Sequence, residues 1–455
     1  MSTVDHPIAH APCGTFAGLA LEGVQAFRGL PYAQAPVGAL RFQPPAPRPA
    51  PVPTDAPPAQ ARAAGAVSLQ APSRLSRVMG DSQSPASEDC LRLSVWTPAA
   101  DGKRRPVMIW LHGGAFMTGA GDLPWYDGAR LAREGDIVVV GVNYRLGALG
   151  FLCGPGVSPG NLGLMDQALA VSWVKDNIAA FGGNPEQLTL MGQSAGGLSI
   201  ALLLCACPQL PIQRAIMMSA PLGLELATPE DAAPMAAAYA RSLEPFRLQS
   251  ALLPGQLMAA QGAAAKFFIE NQAKAGDVAP PFVPVADGAF LPTPAGLQAA
   301  LAQAATRVDV MIGTTRDEST AFFERGPYDA MTQNVFETPS LQWARQAAEA
   351  GRGSYVYRFD HTPGGEALGA THCIELPFVF GNREAFATAP MLGGLDEEAF
   401  EQISRPMRQA FLGFIRDGRP AAETLPDWPA VQADRPIQRL HFAPRTALQQ
   451  VAGTP

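Results

Sequence analysis

The feature that most constrains this chain is a series of short, continuous apolar runs: "PVMIWLHGG", "IVVVGVNYR", "LTLMGQSAG", "RAIMMSA", "VDVMIGTT" and "SYVYRFD". A strand with one wet face alternates apolar and polar residues, whereas these runs are apolar at successive positions and must be buried on both faces. Stretches with helical patterning separate them, including "MDQALAVSWVKDNIAAFG" (165–182) and "AGGLSIALLLC" (195–205). The expected fold class is therefore α/β, a mostly parallel central sheet with helices on both faces. No repeat of 20 to 50 residues is visible. The Pro- and Ala-rich residues 42–65 lie between stretches that read as folded, so they are expected to form a long loop and not a linker. The expectation is one domain over 1–455, with cap-like insertions at about 221–281 and, shorter, at about 319–345.

Composition removes several function classes. An apolar fraction of 47% with 16% charged residues describes a globular chain with a large core. The net charge of −7 and the lack of long like-charge runs argue against nucleic acid as a partner and for a small molecule. No apolar run of membrane-spanning length is free of Gly, Pro or charge, and the start "MSTVDHPIAHAPCGTF" lacks a basic region followed by an apolar core. No membrane association and a cytoplasmic location are expected. The cysteines Cys13, Cys90, Cys153, Cys205, Cys207 and Cys373 are scattered without paired C-x-x-C spacing, so neither a metal nor another cofactor is expected. Cys205 and Cys207 fall in the apolar "IALLLCAC" and read as small buried residues.

One run ends in chemistry. "LTLMGQSAGGLSI" places Ser194 in a Gly-x-Ser-x-Gly frame where an expected strand gives way to an expected helix. A serine hydroxyl becomes a nucleophile only when a base takes its proton and donors stabilise the resulting oxyanion. The flanking glycines allow a sharp reversal that leaves the hydroxyl at a helix N-terminus. Upstream, "VMIWLHGGAFMTG" ends a strand in His112-Gly113-Gly114-Ala115, small residues whose backbone N–H groups could face a carbonyl oxygen. In the α/β-hydrolase arrangement the residue after the nucleophile, here Ala195, adds another. His112 itself reads as structural. An acid and then a histidine should follow the serine. Asp317 and Glu318 in "VDVMIGTTRDESTAFF" supply the first, and His361 or His372 the second; spacing leaves both choices open.

Taken together, these motifs resemble those of the carboxylesterase type-B family, which includes para-nitrobenzyl esterases and cholinesterases. The resemblance runs through "FRGLPYAQAPVGALRFQPP", "SEDCLRLSVWTP", "LHGGAF", "VNYRLGALGFL", "NLGLMDQALAVSWVKDNIAAFGGNPEQLTLMGQSAGG", "GTTRDES" and "GATHCIELPFVFG". It implies an α/β-hydrolase fold and a serine carboxylesterase for uncharged, moderately apolar esters, with amides or carbamates as the alternative substrates and a non-catalytic interaction module as the remaining one. It implies Ser194 as nucleophile, Glu318 as acid, His372 as base, and Gly114, Ala115 and Ala195 as oxyanion donors. Gln193 and Ser219 become supporting residues, Ser219 through a hydrogen bond to the acid. Arg41 with Glu88, and Arg145 with Asp166, are similar to the family's internal ion pairs. The partner expected is a small-molecule ester, met by a monomer or small homo-oligomer.

The chain departs from that pattern in four places. Gln193 stands where the family commonly has glutamate. No Trp, Tyr or Phe occurs between Ser68 and Cys90, so the aromatic platform that cholinesterases use for a quaternary ammonium has no counterpart there. Ser68 stands near the place of the cysteine that secreted relatives pair with the one matching Cys90, which favours a reducing compartment. The stretch from Glu318 to His372 is short, and the loss is expected around 325–332, leaving a wider, shallower site. With no pairing partner in place, a thiol titration of the denatured, unreduced protein should count all six cysteines; a lower count would contradict this reading.

Overall fold

The computed structural model describes residues 6–49, 57–82, 84–246, 248–249, 251–273, 280–323 and 328–451. Among them, eleven strands form one sheet. From one edge to the other its order is Ala447–Gln450, Gln438–Phe442, Ser354–Phe359, Asp309–Thr315, Ile212–Met218, Gly183–Gln193, Arg105–Leu111, Val138–Val142, Arg92–Thr97, Val24–Pro31 and Leu19–Leu21. Every pairing from Gln438–Phe442 across to Val138–Val142 is parallel, and the outer pairings are antiparallel.

Burial on both faces explains the continuous apolar runs. Along Arg105–Leu111, Val107, Ile109 and Leu111 enter one core cluster while Met108 and Trp110 enter the other. Val138 and Val140 likewise oppose Val139, and Val310 and Ile312 oppose Met311. Because side chains alternate along a strand, each run supplies both cores at once. Helices Leu162–Asn177 and Ala195–Ala206 cover the first face, and Glu397–Asp417 covers the second.

The connection order places the site. From Arg105–Leu111 the chain moves outward to Val138–Val142; it returns as Gly183–Gln193 on the other flank and continues outward through Ile212–Met218 and Asp309–Thr315. A doubly wound sheet opens a crevice at such a reversal, beyond the carboxyl ends of the strands. The loops that begin at His112 and Ser194 flank that crevice.

Residues 221–281 contain helices Pro229–Leu243 and Pro254–Asn271, the first opened by a Thr228–Asp231 capping box. Residues 319–345 contain Tyr328–Met331, a π-helical turn Thr332–Glu337 and the start of Thr338–Glu349. Residues 324–327, which overlap the segment expected to be lost, lie outside the described residues. The end of the Pro- and Ala-rich stretch adds strand Ala59–Gln60 to the N-terminal hairpin. Both ion pairs form: Arg41 Nε to Glu88 Oε1 at 2.5 Å, and Arg145 Nη2 to Asp166 Oδ1 at 2.7 Å. The cysteines are unpaired, and no described helix is long and apolar enough to cross a membrane.

One helix contact is tighter than a side chain permits. A Cβ added to Gly196 would stand 1.9 Å from the Leu111 carbonyl oxygen. In a free helix Gly→Ala gains about 1 kcal/mol, but a clash with fixed backbone costs more. Gly196→Ala should therefore destabilise the protein by about 3 kcal/mol or more, read as a lower urea midpoint; an unchanged or higher midpoint would contradict the packing.

Candidate active site

Gly183–Gln193 ends at Ser194, whose backbone is held at φ 56° and ψ −125° before the helix begins at Ala195. That conformation is sparsely populated for a non-glycine residue and costs on the order of 1–3 kcal/mol. The Ser194 N–H donates to Met218 O at 2.9 Å and its carbonyl accepts from Leu198 N at 3.0 Å, which pins the turn at both ends. Ser194 keeps 7% of its surface exposed amid neighbours that are nearly all closed off, so its hydroxyl is presented to the crevice.

The opposite wall is the turn after Leu111. Gly114, Ala115 and Phe116 have φ of 113°, 56° and 59°, a run of left-handed residues that aims successive N–H groups to one side. Among the described residues neither Gly114 N–H nor Ala115 N–H donates to a protein acceptor, and Ala195 N–H opens a helix and has no partner within it. A Cβ on Gly113 would lie 2.7 Å from Gln193 O and 3.0 Å from Ser194 Cβ, so turn and elbow touch. His112 braces the turn. Its ring stacks on Tyr144 at 4.3 Å, its Nδ1 is 2.7 Å from Gly113 O, and Tyr144 Oη donates to its carbonyl at 2.6 Å. Burial pushes the His112 imidazole down to about 4, leaving it neutral.

The acid and the histidine are brought together by backbone. Asp317 N donates to Ala370 O at 3.0 Å, and Ala370 N donates to Asp317 Oδ2 at 2.7 Å. This splice ties the loop after Asp309–Thr315 to the loop carrying His372. Asp317 is thereby occupied, also by Arg316 Nε at 2.9 Å. Glu318 turns inward, accepts Thr315 N at 2.8 Å on Oε1, and stands 2.5 Å from His372 Nδ1 through Oε2. Glu318 and His372 are both fully buried. His361 instead packs edge-on against Phe378, with Nε2 lacking a partner.

Burial by itself lowers the His372 pKa, but the adjoining Cys373 sulfur and the Glu318 carboxylate outweigh it and hold the imidazole well above its ordinary range. Burial raises the Cys373 thiol's own pKa. The Gln193 carboxamide nitrogen lies 3.1 Å from His372 Nε2 and 3.4 Å from Cys373 Sγ. Phe322 and Phe336 pack on the imidazole at 5.1 and 5.4 Å between ring centroids. Phe336 comes from the π-helical turn Thr332–Glu337, so the segment between Glu318 and His372 supplies a wall to the histidine.

Ser219, with φ 47°, donates its hydroxyl to Glu375 Oε1 at 2.7 Å. The expected bond to the acid is thus made to a second carboxyl, which sequence reasoning missed. Burial and the neighbouring Glu318 raise the Glu375 carboxyl to about 7, and its Oε2 has no described partner. A lone acidic residue inside the apolar "CIELPFVF" was the available signal, since a buried carboxylate demands a partner.

The carboxylesterase family model matches residues 5–330 and 324–452. The chain belongs to the carboxylesterase family. It is 34% identical to a phenmedipham hydrolase of Pseudarthrobacter oxydans over 95% of this chain and 94% of that one. It is 35% identical to a para-nitrobenzyl esterase of Bacillus subtilis (strain 168), covering 93% and 92%. A solved PNB esterase structure superposes with a TM-score of 0.86 at 31% identity, over 99% of this chain and 98% of the other. The carboxylesterase reading of the sequence and the α/β-hydrolase fold both stand.

A carboxylate at position 193 would face His372 Nε2 from the present 3.1 Å, favouring the charged imidazole. With His372 as the expected base, which works only when neutral, kcat/KM on neutral esters should rise with pH through a midpoint above about 6.5. Gln193→Glu should move that midpoint roughly 1 pH unit higher; a pH-rate profile with an unmoved or lowered midpoint would contradict the geometry.

Proposed function

We propose that this carboxylesterase cleaves uncharged, moderately apolar small-molecule esters through an acyl-enzyme on Ser194. The observation that carries the proposal is the buried 2.5 Å contact between Glu318 and His372 at the same sheet edge as a serine held on a strained strand-to-helix turn. Glu318 holds the Nδ1–H tautomer, so Nε2 is the acceptor, and the Gln193 carboxamide N–H at 3.1 Å keeps it so. Ser194 attacks the ester carbonyl as its proton passes to His372 Nε2. The N–H groups of Gly114, Ala115 and Ala195 receive the developing oxyanion, and Glu318 stabilises the imidazolium. Collapse of the tetrahedral adduct expels the alcohol, which takes the proton from Nε2. Water then repeats the sequence against the acyl-enzyme and releases the acid.

Nothing in this machinery separates an alkoxide from an amine leaving group, and similarity to the phenmedipham hydrolase supports amides or carbamates as a second reading. Paired para-nitrophenyl esters and anilides with a shared acyl group distinguish the two. The unpaired cysteines support a reducing, cytoplasmic setting.

Ser194→Ala should lower kcat by on the order of a millionfold while leaving the thermal unfolding midpoint within about 2 °C, since the hydroxyl makes no described structural hydrogen bond. An organophosphate should label the parent protein with one equivalent and the variant with none; stoichiometric labelling of the variant would assign the nucleophile elsewhere.

A further inference from the structure

A cavity of about 810 Å³ lies against the first cap helix, Pro229–Leu243, within the range of small-molecule sites. None of the candidate catalytic or oxyanion residues lines it, and it shares no lining residue with the cavity bordered by Gln193. Tyr239 and Leu243 come from that helix, Leu252 from just before Pro254–Asn271, and Arg41 and Phe42 from the N-terminal part of the chain.

The inner end of this cavity carries polar groups without partners. Tyr239 is fully buried, and its hydroxyl makes no hydrogen bond among the described residues. Such a group is costly to enclose and calls for a partner from outside the protein. Burial raises the phenol's pKa, so the group stays an O–H donor. Arg41 donates through Nε and Nη2 to Glu88 at 2.5 and 2.9 Å, whereas its Nη1 makes no hydrogen bond among the described residues. One oxygen with two lone pairs could accept from both. Because Glu88 already neutralises Arg41, a charged head of either sign would lose its hydration without gaining a counter-ion.

The walls are apolar. Phe42 is held at φ 57°, a costly backbone for a bulky residue, and its ring meets Tyr239 edge-on at 5.7 Å. Val157, Leu243 and Leu252 continue that surface. We propose that this cavity is a binding site, separate from the triad, for uncharged aliphatic amphiphiles such as medium-chain alcohols. The head oxygen accepts from Tyr239 Oη and Arg41 Nη1, and the chain lies along Phe42, Leu243 and Leu252. The site does not depend on the esterase reading.

The test is equilibrium dialysis of labelled 1-octanol, octanoate and octylammonium against the intact protein, before and after organophosphate treatment. One equivalent of 1-octanol should bind in both states, about tenfold more tightly than either charged analogue. Tyr239→Phe keeps the ring and removes the donor. Its affinity for 1-octanol should fall about tenfold, while its urea midpoint stays or rises because no protein hydrogen bond is lost. Ala240→Trp fills the cavity from the half-buried side of the helix; it should abolish 1-octanol binding and leave kcat/KM on para-nitrophenyl acetate unchanged. Equal affinity for the three probes, no loss of affinity or a lowered urea midpoint in Tyr239→Phe, or 1-octanol binding that survives Ala240→Trp and vanishes on organophosphate treatment would overturn the proposal. Both variants report on the cavity even in a protein that organophosphate leaves unlabelled, so this site and the esterase reading fail separately.

Discussion

The approach of one helix to one strand carries the rest of the site. Gly196 lies so close to the Leu111 carbonyl that a methyl group there would overlap it at 1.9 Å, and this draws the first turn of Ala195–Ala206 onto the end of Arg105–Leu111. The residues after Leu111 and the residues around Ser194 consequently share one edge, with Gly113 against Gln193 and Ser194. This is the arrangement that the proposed oxyanion site, with donors from two separate loops, requires. The strained backbone of Ser194 is tolerated because hydrogen bonds on both sides over-determine it, to Met218 of the neighbouring strand and from Leu198 of the following helix.

The proposed acid–base pair depends on a different device. The splice between Asp317 and Ala370 is made of backbone and a carboxylate that does no chemistry, yet it sets the separation of Glu318 and His372. Enclosing Glu318 and Glu375 beside one imidazole would be costly if both were ionised. The site meets that constraint by giving Glu318 two hydrogen-bond partners, Thr315 N and His372, while Glu375, pushed up to about 7, holds a proton across the acidic range and accepts from Ser219. The aromatic rings of Phe322 and Phe336 shield His372 from water, which strengthens its pairing with Glu318.

Around this core, the substrate-facing surfaces belong to elements with little in common in sequence. The wall on the histidine comes from a π-helical turn, and the aromatic lining of the cavity beside Gln193 from a 3-10 turn. Specificity in such a protein is set by loops on a fixed sheet edge. The sheet can therefore match a PNB esterase closely while the loops at its edge line the site.

What the sequence by itself determined was local. The elbow at Ser194 and the turn at Gly114 and Ala115 are written in glycine placement, because a left-handed or crowded backbone admits few other residues. The parallel sheet is written in continuous apolar runs, because burial on both faces admits no alternation. The choice of Glu318 over Asp317 and of His372 over His361 was open on spacing alone; it came from the family resemblance and is seen in space through the Asp317–Ala370 splice. Glu375 as the partner of Ser219, Phe336 against His372, and a cavity uniting Arg41 with Tyr239 were decided by tertiary structure alone. Each joins residues far apart along the chain, and their proximity depends on how loops dock after the sheet is built, a geometry that no short stretch of sequence encodes.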